Sequence, residues 1–181
     1  MRRILLISFF CLFVSCMTGC EKALLKYNLR VVKKHQIELP DRIGVIAKRE
    51  YYIKTDSFEH NPRMIIYVDS SSCTSCRIDK LVMYNRLYQL SEECGAFQLF
   101  VCFSPGRSDK GALTKLLCRY NYPFPIYIDE DNNFLERNSF LPKDERFHNL
   151  LTDKHGFPVF VGDPVSDERL FRLFEQHIQS F

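Results

Sequence analysis

Apolar positions along this chain recur with two periods, and the switches between them lay out the elements. The run Met64-Ile65-Ile66-Tyr67-Val68 is unbroken, which predicts a strand over residues 63–68 buried on both faces. The pattern then becomes helical over residues 74–92, with Ile78, Leu81, Tyr84 and Tyr88 on one stripe and Met83, Leu87 and Leu90 beside it. Ser71 or Ser72 is placed to cap its start, and Gly95 to end it. Residues 97–103 form a second apolar run, broken only by Gln98, and Ser104-Pro105-Gly106 turns the chain. A helix capped by Ser108 or Asp109 carries Ala112, Leu113, Leu116, Leu117 and Tyr120 at helical spacing and stops at Asn121-Tyr122-Pro123. A short strand over 124–128 follows.

The ends of the chain have a different character. Residues 129–140 predict a short helix with a loop, and the Asp129-Glu130-Asp131 run reads as a solvated turn, lacking the spacing of a calcium loop. Residues 147–152 and 157–161 predict an antiparallel hairpin around Asp153-Lys154-His155-Gly156, with His155 in solvent. Pro158 puts the second of these strands at a sheet edge. Residues 167–178 predict an amphipathic helix with Leu170, Phe171, Phe174 and Ile178 on one face. Upstream, residues 37–53 predict one or two short strands of a hairpin or edge, and residues 55–62 a polar connection ending in Asn61-Pro62. Strands and helices alternating in this way predict a layered α/β sheet.

Before all of this, Met1-Arg2-Arg3 precedes an apolar run over residues 4–14 and small residues over 15–19, the pattern of a secretory signal peptide. Eleven apolar residues fall short of the roughly 20 that span a bilayer. Met17-Thr18-Gly19-Cys20 resembles a bacterial lipobox, which would make Cys20 a lipidated N-terminus, and Phe13-Val14-Ser15-Cys16 is a poorer match. The expected organisation is a signal over 1–19, a tether or short amphipathic helix near the lipid over 20–36, and one domain over 37–181. Such a protein would sit in a bacterial cell envelope, anchored to membrane lipid through Cys20, with its domain in the periplasm or outside the cell. Composition agrees with one ordinary domain, since 46% of the 181 residues are hydrophobic. Setting Arg2 and Arg3 aside brings the 25 basic residues to within one of the 22 acidic, so nothing points to nucleic acid.

The candidate chemistry is Cys73-Thr74-Ser75-Cys76, placed between the buried strand and the start of a helix. Two cysteines three apart in the first turn share an exposed edge. The N–H groups and dipole there favour a thiolate at Cys73. A disulfide closing so short a loop removes little chain entropy, so the pair reads as redox-active rather than a staple. The alternative is a protein without turnover that binds a protein partner or a metal, for which Cys73, Cys76 and His148 together would suit Cu(I) or zinc. Cys102 and Cys118 read as small buried hydrophobes and Cys94 as more exposed, with a Cys94 to Cys118 disulfide left open. No motif points to a cofactor.

A signal with lipobox, a buried strand running into Cys-X-X-Cys, further αβ units, then a hairpin and a final helix resemble the thioredoxin fold. More narrowly, the chain resembles the membrane-tethered thioredoxin-like proteins of the TlpA and ResA type. Phe124-Pro125-Ile126-Tyr127-Ile128-Asp129 is similar to that family's third core strand, and Leu151-Thr152-Asp153-Lys154-His155-Gly156 to its last hairpin turn. The resemblance implies a three-layer α/β/α sandwich with a mixed sheet and thiol–disulfide exchange with exported proteins. Cys73 would be the attacking and Cys76 the resolving thiol, with Ser72, Thr74, Arg146, Phe147 and His148 bordering the groove. It also marks departures. Ser72 stands where the family usually has Trp, and Glu145-Arg146-Phe147-His148 stands where it has a cis-proline, Pro142 coming too early. Ile65-Ile66-Tyr67 offers no acid under the second cysteine.

Overall fold

The computed structural model describes residues 21–55, 58, 61–69, 78–106, 110–179 and 181. The expected signal over 1–19, Cys20, Ser72, Cys73, Thr74 and Cys76 lie outside the described residues, as do the cap candidates Ser71, Ser108 and Asp109.

Strands β1 (Ile43–Ala47) and β2 (Glu50–Lys54) form the hairpin expected upstream, and β3 (Arg63–Val68) has the predicted bounds. They are followed by β4 (Gln98–Phe103), β5 (Ile126–Ile128), β6 (Asn149–Thr152) and β7 (Pro158–Val161). All join one sheet in the order β2-β1-β5-β4-β3-β6-β7. β3, β4 and β5 run parallel, while β1 pairs antiparallel with β5 and β6 with β3. β7 closes the described sheet as an edge strand, where the missing N–H of Pro158 is tolerable.

The unbroken apolar run of β3 reflects layers on both faces. Met64, Ile66 and Val68 enter one core with Leu99, Val101 and Phe103 of β4, and Ile65 and Tyr67 enter another with Phe100 and Cys102. Helices α2 (Asn85–Cys94), α3 (Lys110–Leu117) and α5 (Glu168–Ile178) cover the first core through Leu87, Leu113, Leu117, Phe171 and Phe174. Helix α1 (residues 21–32) and α4 (Asn133–Arg137) cover the second through Val32 and Phe134. This is an α/β/α sandwich around a mixed sheet.

Two helices differ from expectation. Residues 78–80 are helical, but 81–84 form a turn before α2, so no single helix spans 74–92. The N–H groups of Leu81, Met83 and Tyr84 donate to carbonyls three residues back, and this tighter winding interrupts the helix while Ile78, Leu81, Tyr84 and Tyr88 all keep to the first core. Leu81 and Tyr84 stay buried, while Met83 turns out to 49% exposure. At the end of α3 the N–H groups of Arg119 and Tyr120 also bond three residues back, and Tyr120 swings into solvent instead of joining the apolar face.

The segment after α1 is tied down by Asn138. Its Nδ2 donates to the Glu38 carbonyl at 2.8 Å and its Oδ1 accepts from the Glu38 N–H at 2.9 Å. A third bond, Nδ2 to the Phe134 carbonyl at 2.7 Å, fixes the amide to α4.

Candidate functional site

The C-terminal ends of β3, β4 and β5 meet at one edge of the sheet. There the Ser104 N–H donates to Val68 and the Asp129 N–H to Phe103, each at 2.8 Å. The chain leaves β3 at this edge, at Val68, five residues before Cys73.

Asp129 is fully buried here, which corrects its reading as part of a solvated turn. Its carboxylate accepts the N–H groups of Asn133 at 3.0 Å and Phe134 at 2.9 Å, starting α4, and the Tyr67 hydroxyl donates to it at 3.5 Å. Burial raises the Asp129 pKa, and the two backbone donors and Tyr67 only partly offset it. Burial also pushes the Tyr67 hydroxyl up, so it stays neutral. The Tyr67 ring stacks on Phe134 at 4.5 Å. The Ser104 hydroxyl reaches the Asp129 carbonyl at 3.4 Å and also contacts Asn132 Oδ1. A buried acid thus lies at this edge, directly after β5 and not on β3. Its signal was an Asp directly after a short apolar strand and four residues before an N–H-rich helix start.

The acids beside it behave differently. Partial burial works against the Glu130 carboxylate, but hydrogen bonds from Lys110 and Tyr51 outweigh that and hold its pKa below the usual range. The Tyr51 hydroxyl, pressed against Glu130 and partly buried, is raised to about 12.

Of the expected groove residues, Arg146 is exposed and chelated by the Asp144 carboxylate, its Nε and Nη2 lying 2.9 and 2.7 Å from Oδ2. Phe147 is only 1% exposed and belongs to the second core, so it supports the rim and does not line it. His148 is buried as well, yet it lines an open cleft of about 460 Å³ with Tyr67, Asp69, Ser104, Asn132 and Lys143. Its Nε2 lies 2.9 Å from the Pro142 carbonyl, which can only accept, so Nε2 carries the hydrogen. Its buried Nδ1 makes no hydrogen bond among the described residues and lies 3.5 Å from Asp69 Oδ2.

Cys94 is exposed, Cys118 half-buried and Cys102 buried, and all three are free, so the disulfide left open between Cys94 and Cys118 is not formed. Burial pushes the Cys102 thiol well up, which leaves it unreactive. Among the described residues no three His, Cys, Asp or Glu side chains gather as a metal site, and no helix is long and apolar enough to cross a membrane. His155 is exposed in its turn.

Three parallel strands flanked by antiparallel ones, with helices on both faces and a closing hairpin and helix, make a thioredoxin-like fold. Solved structures agree. The pneumococcal exposed lipoprotein thioredoxin Etrx1 of Streptococcus pneumoniae is similar at a TM-score of 0.50 and 14% identity, over 77% of this chain and 99% of that one. A candidate thiol:disulfide interchange protein, DsbE, of Chlorobium tepidum is similar at a TM-score of 0.52 and 14% identity, over 80% of this chain and 98% of that one. No family model matches the chain, and the search of curated proteins gave no match.

Proposed function

We propose that this protein is a lipid-anchored thiol–disulfide oxidoreductase acting on exported proteins of the bacterial envelope. The observation that carries the reading is the exit of the buried parallel strand β3 at Asp69, four residues before Cys73, into a polar edge built by Tyr67, Ser104, Asp129 and His148. The thioredoxin-like fold supports it, and the similar structures, an exposed lipoprotein thioredoxin and a candidate thiol:disulfide interchange protein, point the same way.

The Cys73 thiolate attacks one sulfur of a client disulfide, and the other client sulfur leaves as a thiolate. Cys76 then attacks the Cys73 sulfur, forming the Cys73–Cys76 disulfide and freeing the second client thiolate. Two electrons pass to the client, and a dithiol partner restores the pair. Run backwards, the same steps oxidise a client. Cys73→Ser abolishes exchange with a model disulfide protein, and Cys76→Ser accumulates a mixed disulfide that non-reducing electrophoresis resolves. A wild-type chain that exchanges with neither glutathione nor a reduced protein would falsify the reading.

The His148 ring favours a second reading, binding of Cu(I) or zinc by Cys73, Cys76 and His148. With Nε2–H committed to Pro142, Nδ1 carries the lone pair, buried and 3.5 Å from Asp69 Oδ2, so a metal ion bound there would lie beside that carboxylate. Anaerobic Cu(I) titration of the reduced protein decides it: stoichiometric binding lost in His148→Ala supports this reading, and absence of binding removes it.

A further inference from the structure

We infer that the outward face of α1 docks on a bilayer containing anionic lipid. Leu25 and Leu29 pack against the second core beside buried Val32, which fixes the helix rotation. At about 100° per residue this turns Tyr27 and Arg30 to the outside, with Lys26 on one flank and Leu24 on the other, while Lys22 lies nearer the core and Lys33 and Lys34 follow the helix; all five cations are exposed. Leu24 and Tyr27 stand on the same outer side, 60% and 64% exposed, although large apolar groups gain nothing from water there.

Among the described residues none of the five cations is ion-paired. The one acid of the helix, Glu21, adds, after Asp144, to the field that raises the Arg146 pKa. Arg30 and Lys26 beside the exposed Tyr27, with Leu24 on the other flank of the same outward half, match a surface with phosphates outside and hydrocarbon just beneath. An acidic protein or a nucleic acid would meet the charges and leave Leu24 and Tyr27 without a partner. The chain upstream favours the bilayer too. Residues 15–20 extend no more than about 20 Å, so the apolar run 4–14, or an acyl chain on Cys20, enters lipid close to α1. Docking would hold the Arg146 rim beside the headgroups. None of this depends on the thiol chemistry.

The chain contains no tryptophan, so Tyr27→Trp installs a lone reporter. The full chain carrying it is reconstituted into vesicles of brominated phosphatidylcholine, alone or mixed with phosphatidylglycerol. The expected result is quenching of the indole in the anionic vesicles, reversed by raising salt. Each neutralised cation lowers the docked-to-undocked ratio roughly fivefold, so adding Lys26→Gln and Arg30→Gln lowers it roughly 25-fold. An unquenched indole in anionic vesicles overturns the inference. Equal quenching in neutral vesicles overturns it as well, and the salt titration gives this answer on the reporter chain without further substitutions.

Discussion

Asp129 combines a helix-starting role with burial under the candidate site, and the two pull in opposite directions. Asp129→Ala leaves the N–H groups of Asn133 and Phe134 without acceptors in a buried position. It is expected to lower the unfolding free energy by about 1–3 kcal/mol, read by urea titration. The pH dependence has a defined sign. Burial raises the folded-state pKa above the unfolded value near 3.9, so the folded chain takes up the proton first. Asp129 therefore contributes stability at low pH that is lost as pH rises through the raised folded value. Relative to Asp129→Asn, which cannot titrate there, the wild type gains stability on going from about pH 7 to about pH 4. A constant difference across that window would contradict a buried, raised carboxyl. Tyr67→Phe removes a donor that helps hold the carboxylate charged and should widen the effect. At this scale the sequence was a partial guide. Cys102 and the exposed His155 could be read from their neighbours, whereas Asp129 offered only its place between a short strand and a helix start. Its acid-rich surroundings look like a surface turn, and only the pairing of β5 with β4 carries it inside.

Among the elements, strand β3 and the hairpins were legible because their apolar runs and turn residues answer to purely local rules. The helix after the cysteines was legible only in part. Its period survives a shift of hydrogen bonds from four residues back to three, so the pattern hides the turn at 81–84 and the outward swing of Met83. The end of α2 shows the opposite case, where one residue suffices. Gly95 takes φ of 62° and returns its N–H to Ser91. Gly95→Ala should cost about 1 kcal/mol by thermal or urea unfolding, with no change in thiol exchange. A neutral substitution would mean that the left-handed residue does not end the helix. Asn138→Ala strips two hydrogen bonds to Glu38, which join the segment after α1 to the end of α4, and a third that holds the amide to Phe134. A loss of at least about 2 kcal/mol is expected, together with faster amide exchange at Glu38.

Seen whole, the molecule places its parallel strands between two separate apolar cores, and Ser104, Asp129 and His148 at the edge between them are buried although the cleft beside them is open. The layered architecture was legible from strands with no polar face. The rim was not: Phe147 and His148 sit next to each other, yet one fills the second core and the other lines the cleft. The account of the protein as an exchanger stands on the Cys73 and Cys76 couple, and its redox equilibrium tests that most directly. The full chain is poised in glutathione buffers of graded potential, alkylated, and the Cys73–Cys76 peptide weighed. The expected result is a reversible two-electron transition of that pair at a midpoint between about −270 and −120 mV, with Cys102 reduced throughout. A pair that never forms its disulfide across this range, or bonds to other cysteines instead, would contradict the account.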